Sequence, residues 1–229
     1  LSKSASLYSL CVNSECNEVI VSCQNEIIFI NKESGEIICR RRCHRSIIYS
    51  IRMSFEGSYL ASSSADGMII IWQAKDYETL SSFGSSLAAR SLIWSPTEII
   101  LLTLSLHEYY IWQPMQTRAH CIHIKDPSIT IENGAFSADG QKYALSFSDC
   151  SVKIYHLDKQ EEIASLSFSS PLTIINFKQI HDDDFLIAVD IDRYVSIHRI
   201  SDKSIIRKNE LPFEALQMTE LNIGETNFF

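Results

Sequence analysis

Four kinds of chemistry are suggested by residue types and spacing in this chain. His44, Ser62 and Asp66 bring together the three groups of an acyl-transfer triad. Cys39-Arg40-Arg41-Arg42-Cys43-His44-Arg45 places four guanidinium groups within seven residues, a grouping that could clamp a phosphorylated headgroup through charge-assisted hydrogen bonds. Cys39, Cys43 and His44, and separately His120-Cys121-x-His123, offer metal-ligand atoms. Asp182, Asp183 and Asp184 form an acidic run that could attract a cation.

The elements that must position these groups are short β-strands. Residues 47–53 alternate apolar and polar, which puts Ile47, Tyr49, Ile51 and Met53 on one expected face. Glu56-Gly57-Ser58 then reads as a turn, residues 59–64 as a small half-apolar strand, Ala65-Asp66-Gly67 as a second turn, and residues 68–72 as a dense apolar strand. The unit recurs. Ile30, Trp72, Trp112, Tyr155 and His198 end equivalent strands at spacings of 42, 40, 43 and 43 residues. A period of about 40–45 residues with four strands per unit is that of a propeller blade.

The stretch ASSSADGMIIIW, residues 61–72, resembles the core of a WD repeat, and His44 stands where the repeat's loop histidine would. Cys43 replaces the glycine that normally precedes it. The resemblance implies a buried hydrogen-bonded set of loop His, strand Ser, turn Asp and strand Trp, which falls on His44, Ser62, Asp66 and Trp72. Its physical logic is satisfaction: a buried carboxylate needs donors, and an indole N–H needs an acceptor. This structural reading displaces the hydrolase. The trio ties a turn to a strand within one unit, and no G-x-S-x-G elbow presents a nucleophile.

The expected fold is therefore an all-β WD-repeat β-propeller. Its blades fall at about 6–43, 44–86, 87–126, 127–169 and 170–210, with a sixth beginning over 211–229. A ring must close to protect its edges, so the chain reads as part of a larger, seven-bladed propeller. The units are unequal. The first has Ile30 in place of the Trp. The third has its acid, Glu108, four residues before Trp112, whereas Asp66 lies six before Trp72.

The order of these irregularities, including HEYYIWQP, DGQKYALSF and FLIAVDIDRYVSIHRISDKSII, resembles the N-terminal propeller of the intraflagellar transport protein 122 family. That resemblance implies a scaffold in the ciliary transport complex A. Its partners would be other subunits of a multi-subunit complex, and its place the cytoplasm, the cilium and the ciliary base. Any membrane contact would be indirect. Two rivals are a phosphoinositide-binding propeller and a WD-repeat adaptor of some other complex. The first would use Arg40, Arg41, Arg42 and Arg45 as a binding loop, although only two of the four residues in the Phe-Arg-Arg-Gly motif of that family are matched.

Composition fits the scaffold. The 229 residues are 45% hydrophobic and 21% charged, with a formal net charge of −8. An acidic chain is poorly matched to a nucleic-acid backbone. No run of 18 apolar residues would form a membrane span, and the first residues show no signal-peptide pattern. Seven cysteines, irregularly spaced and mostly among apolar residues, imply reduced thiols without a disulfide framework. Neither Cys/His run has a second pair at metal-binding spacing, so no metal and no cofactor is expected. No phosphate loop or repeated carboxylate pair points to a small-molecule substrate or a catalytic residue.

Overall fold

The structure is a computed structural model that describes residues 7–13, 17–116, 118–180 and 183–212. Twenty strands form five four-stranded antiparallel sheets among these residues, each ordered as its strands follow in the chain. The first contains β1 (Leu7–Asn13), β2 (Glu18–Cys23), β3 (Glu26–Asn31) and β4 (Ile37–Arg42). The second contains β5 (Ile48–Met53), β6 (Tyr59–Ser64), β7 (Met68–Gln73) and β8 (Thr79–Gly84). The third contains β9 (Ser91–Trp94), β10 (Leu101–Leu104), β11 (Glu108–Gln113) and β12 (Arg118–His123). The fourth contains β13 (Ile131–Phe136), β14 (Lys142–Phe147), β15 (Ser151–His156) and β16 (Glu162–Ser167). The fifth contains β17 (Leu172–Ile180), β18 (Asp183–Asp190), β19 (Tyr194–Arg199) and β20 (Ile205–Glu210).

The first strands of successive sheets lie side by side, as in a β-propeller. Ring closure is not seen among the described residues, and the expected sixth unit lies almost wholly outside them. No helix among the described residues is long and apolar enough to cross a membrane.

Both faces of the middle strands are apolar in the second, third and fourth sheets because each of these is sandwiched between two others. In the second sheet, Leu60, Ile70 and Trp72 pack against Ile20, Ile27 and Phe29 of the first. Their neighbours Ala61, Ile69 and Ile71 pack the opposite way, against Leu92, Leu101 and Trp112 of the third. The period-2 alternation of a strand thus feeds two cores rather than one core and solvent. The same interleaving joins the third sheet to the fourth and the fourth to the fifth.

One expected face is corrected. Ile47 and Tyr49 are exposed, at 37% and 38%, whereas Ile48 is fully buried. The cause is a register shift between Ile48 and Ser50, which breaks the alternation. The shift recurs at the same place in the first, fourth and fifth sheets, between Leu7 and Ser9, Ile131 and Asn133, and Leu172 and Ile174.

Candidate functional site

His44 lies between β4 and β5, Ser62 on β6, Asp66 in the β6–β7 turn and Trp72 on β7. Folding brings the four together. Trp72 Nε1–H donates to Ser62 Oγ at 3.0 Å. His44 Nε2 lies 2.9 Å from the same oxygen, and His44 Nδ1 lies 3.2 Å from Asp66 Oδ2. A single proton arrangement satisfies all four. Nδ1–H donates to the carboxylate, and Nε2 accepts the serine proton. Asp66 also accepts from the backbone N–H groups of Arg45, at 2.7 Å, and Met68, at 2.9 Å.

Burial holds the His44 imidazole below its usual pKa, against the opposing pull of Asp66, so the ring is neutral near pH 7. Burial pushes the Asp66 carboxyl up, but the Arg45 and Met68 N–H groups and His44 together outweigh it and hold the acid low. The serine–histidine–aspartate distances match those of a hydrolase triad. However, Ser62 is fully buried and His44 is 3% exposed. A nucleophile that no substrate can reach, and whose oxygen already accepts an indole N–H, is a structural clasp.

The third and fifth sheets use variants of this clasp. In the third, Glu108 replaces Asp66. Its carboxylate accepts from Ser86 Oγ at 2.6 Å, Leu87 N at 2.9 Å and Tyr110 Oη at 3.0 Å. By strand register, Leu101 opposite Trp112 matches Leu60 opposite Trp72, which puts Thr103 in the place of Ser62. The buried Thr103 hydroxyl has no hydrogen-bond partner among the described residues. In the fifth, Ser170 Oγ donates to Asp192, and Ser196 Oγ lies 3.0 Å from His198 Nε2. Sequence reading identified Glu108 only as a displaced acid and missed Ser86. The signal was present in the unchanged 22-residue interval between loop residue and acid.

The expected arginine loop needs correction. Arg40, Arg41 and Arg42 lie on strand β4, and only Arg45 occupies the loop. The register that sets Arg42 opposite Glu26 brings Arg42 Nη2 to 2.7 Å and Arg40 Nη1 to 3.7 Å from that carboxylate. Two of the four guanidinium groups therefore already have an anionic partner. Within the acidic run, Asp183 and Asp184 begin β18, and Asp184 pairs with Lys142 Nζ at 2.8 Å across the sheet boundary; Asp182 lies outside the described residues.

Among the candidate metal ligands, His44 has both ring nitrogens engaged by Ser62 and Asp66. Cys43 packs against the core between the first two sheets, and burial pushes its thiol up to about 12. Trp94 is buried and donates to Arg52 O at 3.0 Å, and Tyr109 is buried with its hydroxyl 3.2 Å from that of Tyr143.

Comparison with known proteins agrees with this architecture. The chain is 24% identical over 224 residues to the intraflagellar transport protein 122 homologue of Danio rerio, covering 96% of this chain and 18% of the relative. It is 24% identical over 225 residues to the homologue of Xenopus tropicalis, covering 96% of the chain and 19% of the relative. To that of Mus musculus it is 22% identical over 224 residues, again covering 96% and 19%. The chain thus spans about a fifth of the length of these curated relatives. A family model described as the IFT122 first beta-propeller matches residues 6–229, and the chain belongs to that family.

Proposed function

We propose that this propeller is a non-enzymatic protein-interaction scaffold, working within a subunit of intraflagellar transport complex A. Its parent would act in ciliary retrograde transport and in delivery of cargo and membrane proteins, in the cytoplasm, the cilium and the ciliary base. The family match over residues 6–229 carries this reading. The side chains support it. The His44–Ser62–Asp66 constellation, which has catalytic geometry, is spent inside a blade, where it holds a loop against a turn. Rigid sheets then leave the loops free to vary from blade to blade, the division of labour expected of an interaction module.

The test is a pull-down from ciliated cells with the full-length parent protein, alongside a variant with Arg40, Arg41, Arg42 and Arg45 replaced by Ser. Recovery of a stoichiometric set of large propeller and helical-repeat subunits by both proteins is the expected result. Recovery of no such set, together with phosphoinositide-vesicle binding that the variant loses, would replace the scaffold with a lipid-binding propeller. Recovery of an unrelated set would leave a WD-repeat adaptor of another complex.

A further inference from the structure

We propose that Glu108, Cys121 and His123 form a zinc-binding site at the outer part of the third sheet. The sequence presented Cys121 and His123 as half of a motif without a second pair. Folding supplies the missing ligand from the neighbouring strand. The β11–β12 register sets Glu108 opposite His123 and Tyr110 opposite Cys121, so Glu108, Cys121 and His123 share one face of the sheet. His120 alternates to the other face and takes no part.

The spacing suits a tetrahedral ion. Cys121 Sγ lies 3.9 Å from Glu108 Oε2 and 3.5 Å from His123 Nε2, and His123 Nδ1 lies 3.4 Å from Glu108 Oε2. One ligand atom from each residue falls within 4.8 Å of the other two. Zinc bonds of about 2.0–2.3 Å in tetrahedral geometry separate ligand atoms by roughly 3.3–3.6 Å. The two histidine distances belong to different ring nitrogens, so the ring must turn to bring one nitrogen to both Cys121 and Glu108. His123 is exposed, so its ring can turn to offer either nitrogen, and Cys121 is exposed beside it.

Glu108 is the anchored member. It is buried, and its Oε1 accepts from Leu87 N–H and Tyr110 O–H. Those bonds fix the carboxylate and leave Oε2 facing the other two ligands. Ser86 has one proton to share between the two oxygens, at 2.7 and 2.6 Å. Such outer partners are what orient a metal-bound carboxylate. A carboxylate and a thiolate carry two negative charges, and a divalent ion balances them. Binding displaces the Cys121 thiol proton to solvent, one per ion. Sulfur, nitrogen and oxygen donors together favour zinc over magnesium or calcium, and three protein ligands leave a fourth position open to water.

The experiment is titration of the reduced 229-residue chain with cobalt(II), followed by zinc(II) displacement. One equivalent of cobalt should give a thiolate-to-cobalt charge-transfer band with tetrahedral visible bands, and zinc should abolish both. Cys121→Ser should remove the charge-transfer band. His123→Ala should weaken zinc by at least about tenfold, the lower bound for losing even an outer partner of a ligand. Both side chains are exposed, so the melting temperature without metal should stay unchanged. Lack of the band in the unsubstituted chain, or its persistence in Cys121→Ser, would overturn the site.

Discussion

Ser86 and Glu108 stand in the same relationship as His44 and Asp66. In each pair a residue of the loop before a sheet's first strand contacts the acid 22 residues later, near the second hairpin turn. The distances are 2.6 Å in the third sheet and 3.2 Å in the second. Glu108 stands two residues nearer its Trp than Asp66 does, but its loop partner has moved with it. The second, third and fifth sheets thus keep the loop-to-acid bond and let the rest of the set vary. That separation allows its parts to be tested one at a time.

Trp72 is 3% exposed and joins the core between the first two sheets. Trp72→Ala should cost about 3–5 kcal/mol of unfolding free energy, from lost contacts and the cavity left behind. Urea denaturation reads this directly. A change within error would show that the indole does not hold the two sheets together.

Ser62 and Thr103 occupy matching register positions with opposite hydrogen-bond status. Ser62→Ala leaves the Trp72 N–H and a His44 nitrogen unpaired, at an expected cost of about 1–3 kcal/mol. Thr103→Val removes a buried hydroxyl that has no partner among the described residues, so stability should hold or rise. Equal losses in the two variants would mean that the Thr103 hydroxyl is satisfied in solution.

Glu108 and Asp66 each accept several donors, including at least one backbone N–H. Asp66→Ala and Glu108→Ala should each lower stability by about 1–3 kcal/mol, through donors left without an acceptor. If only Asp66→Ala were destabilising, the third sheet's clasp would be dispensable.

Stability should fall as the solution becomes acidic. Burial depresses the His44 pKa below its ordinary 6.5, so the unfolded chain takes up the proton first. The contribution is present above pH 6.5 and is lost progressively below it. His198, held down by burial and by Lys208, adds to the same window. Asp66, held below its ordinary 3.8, adds a second loss beneath that value. Urea midpoints from pH 8 to pH 5 should decline, and less steeply in His44→Gln. Parallel slopes for the two proteins would show that His44 does not contribute.

Replacing Arg40, Arg41 and Arg42 with Ser should change stability by no more than about 1 kcal/mol, because the ion pairs with Glu26 are solvent-exposed. Phosphoinositide vesicles should bind the parent and the variant equally weakly. A marked loss of vesicle affinity in the variant would restore a lipid role to this strand.

The sequence by itself determined the repeat. Spacings of about 42 residues, period-2 apolar strands and Gly/Asp turns are local features that defined five sheets, and the WD-repeat resemblance of residues 61–72 added the His44–Ser62–Asp66–Trp72 set. Tertiary structure decided everything that depends on register. The Ile48–Ser50 shift put Ile48 inside and Ile47 and Tyr49 outside, because one irregular position reverses every side chain beyond it. Pairing of β3 with β4 turned an apparent arginine loop into a strand on which Arg40 and Arg42 share Glu26. Pairing of β11 with β12 brought Glu108 to Cys121 and His123, a grouping that no linear spacing announces. A strand's own residues dictate that it is a strand, whereas its partner's register dictates which side chains meet.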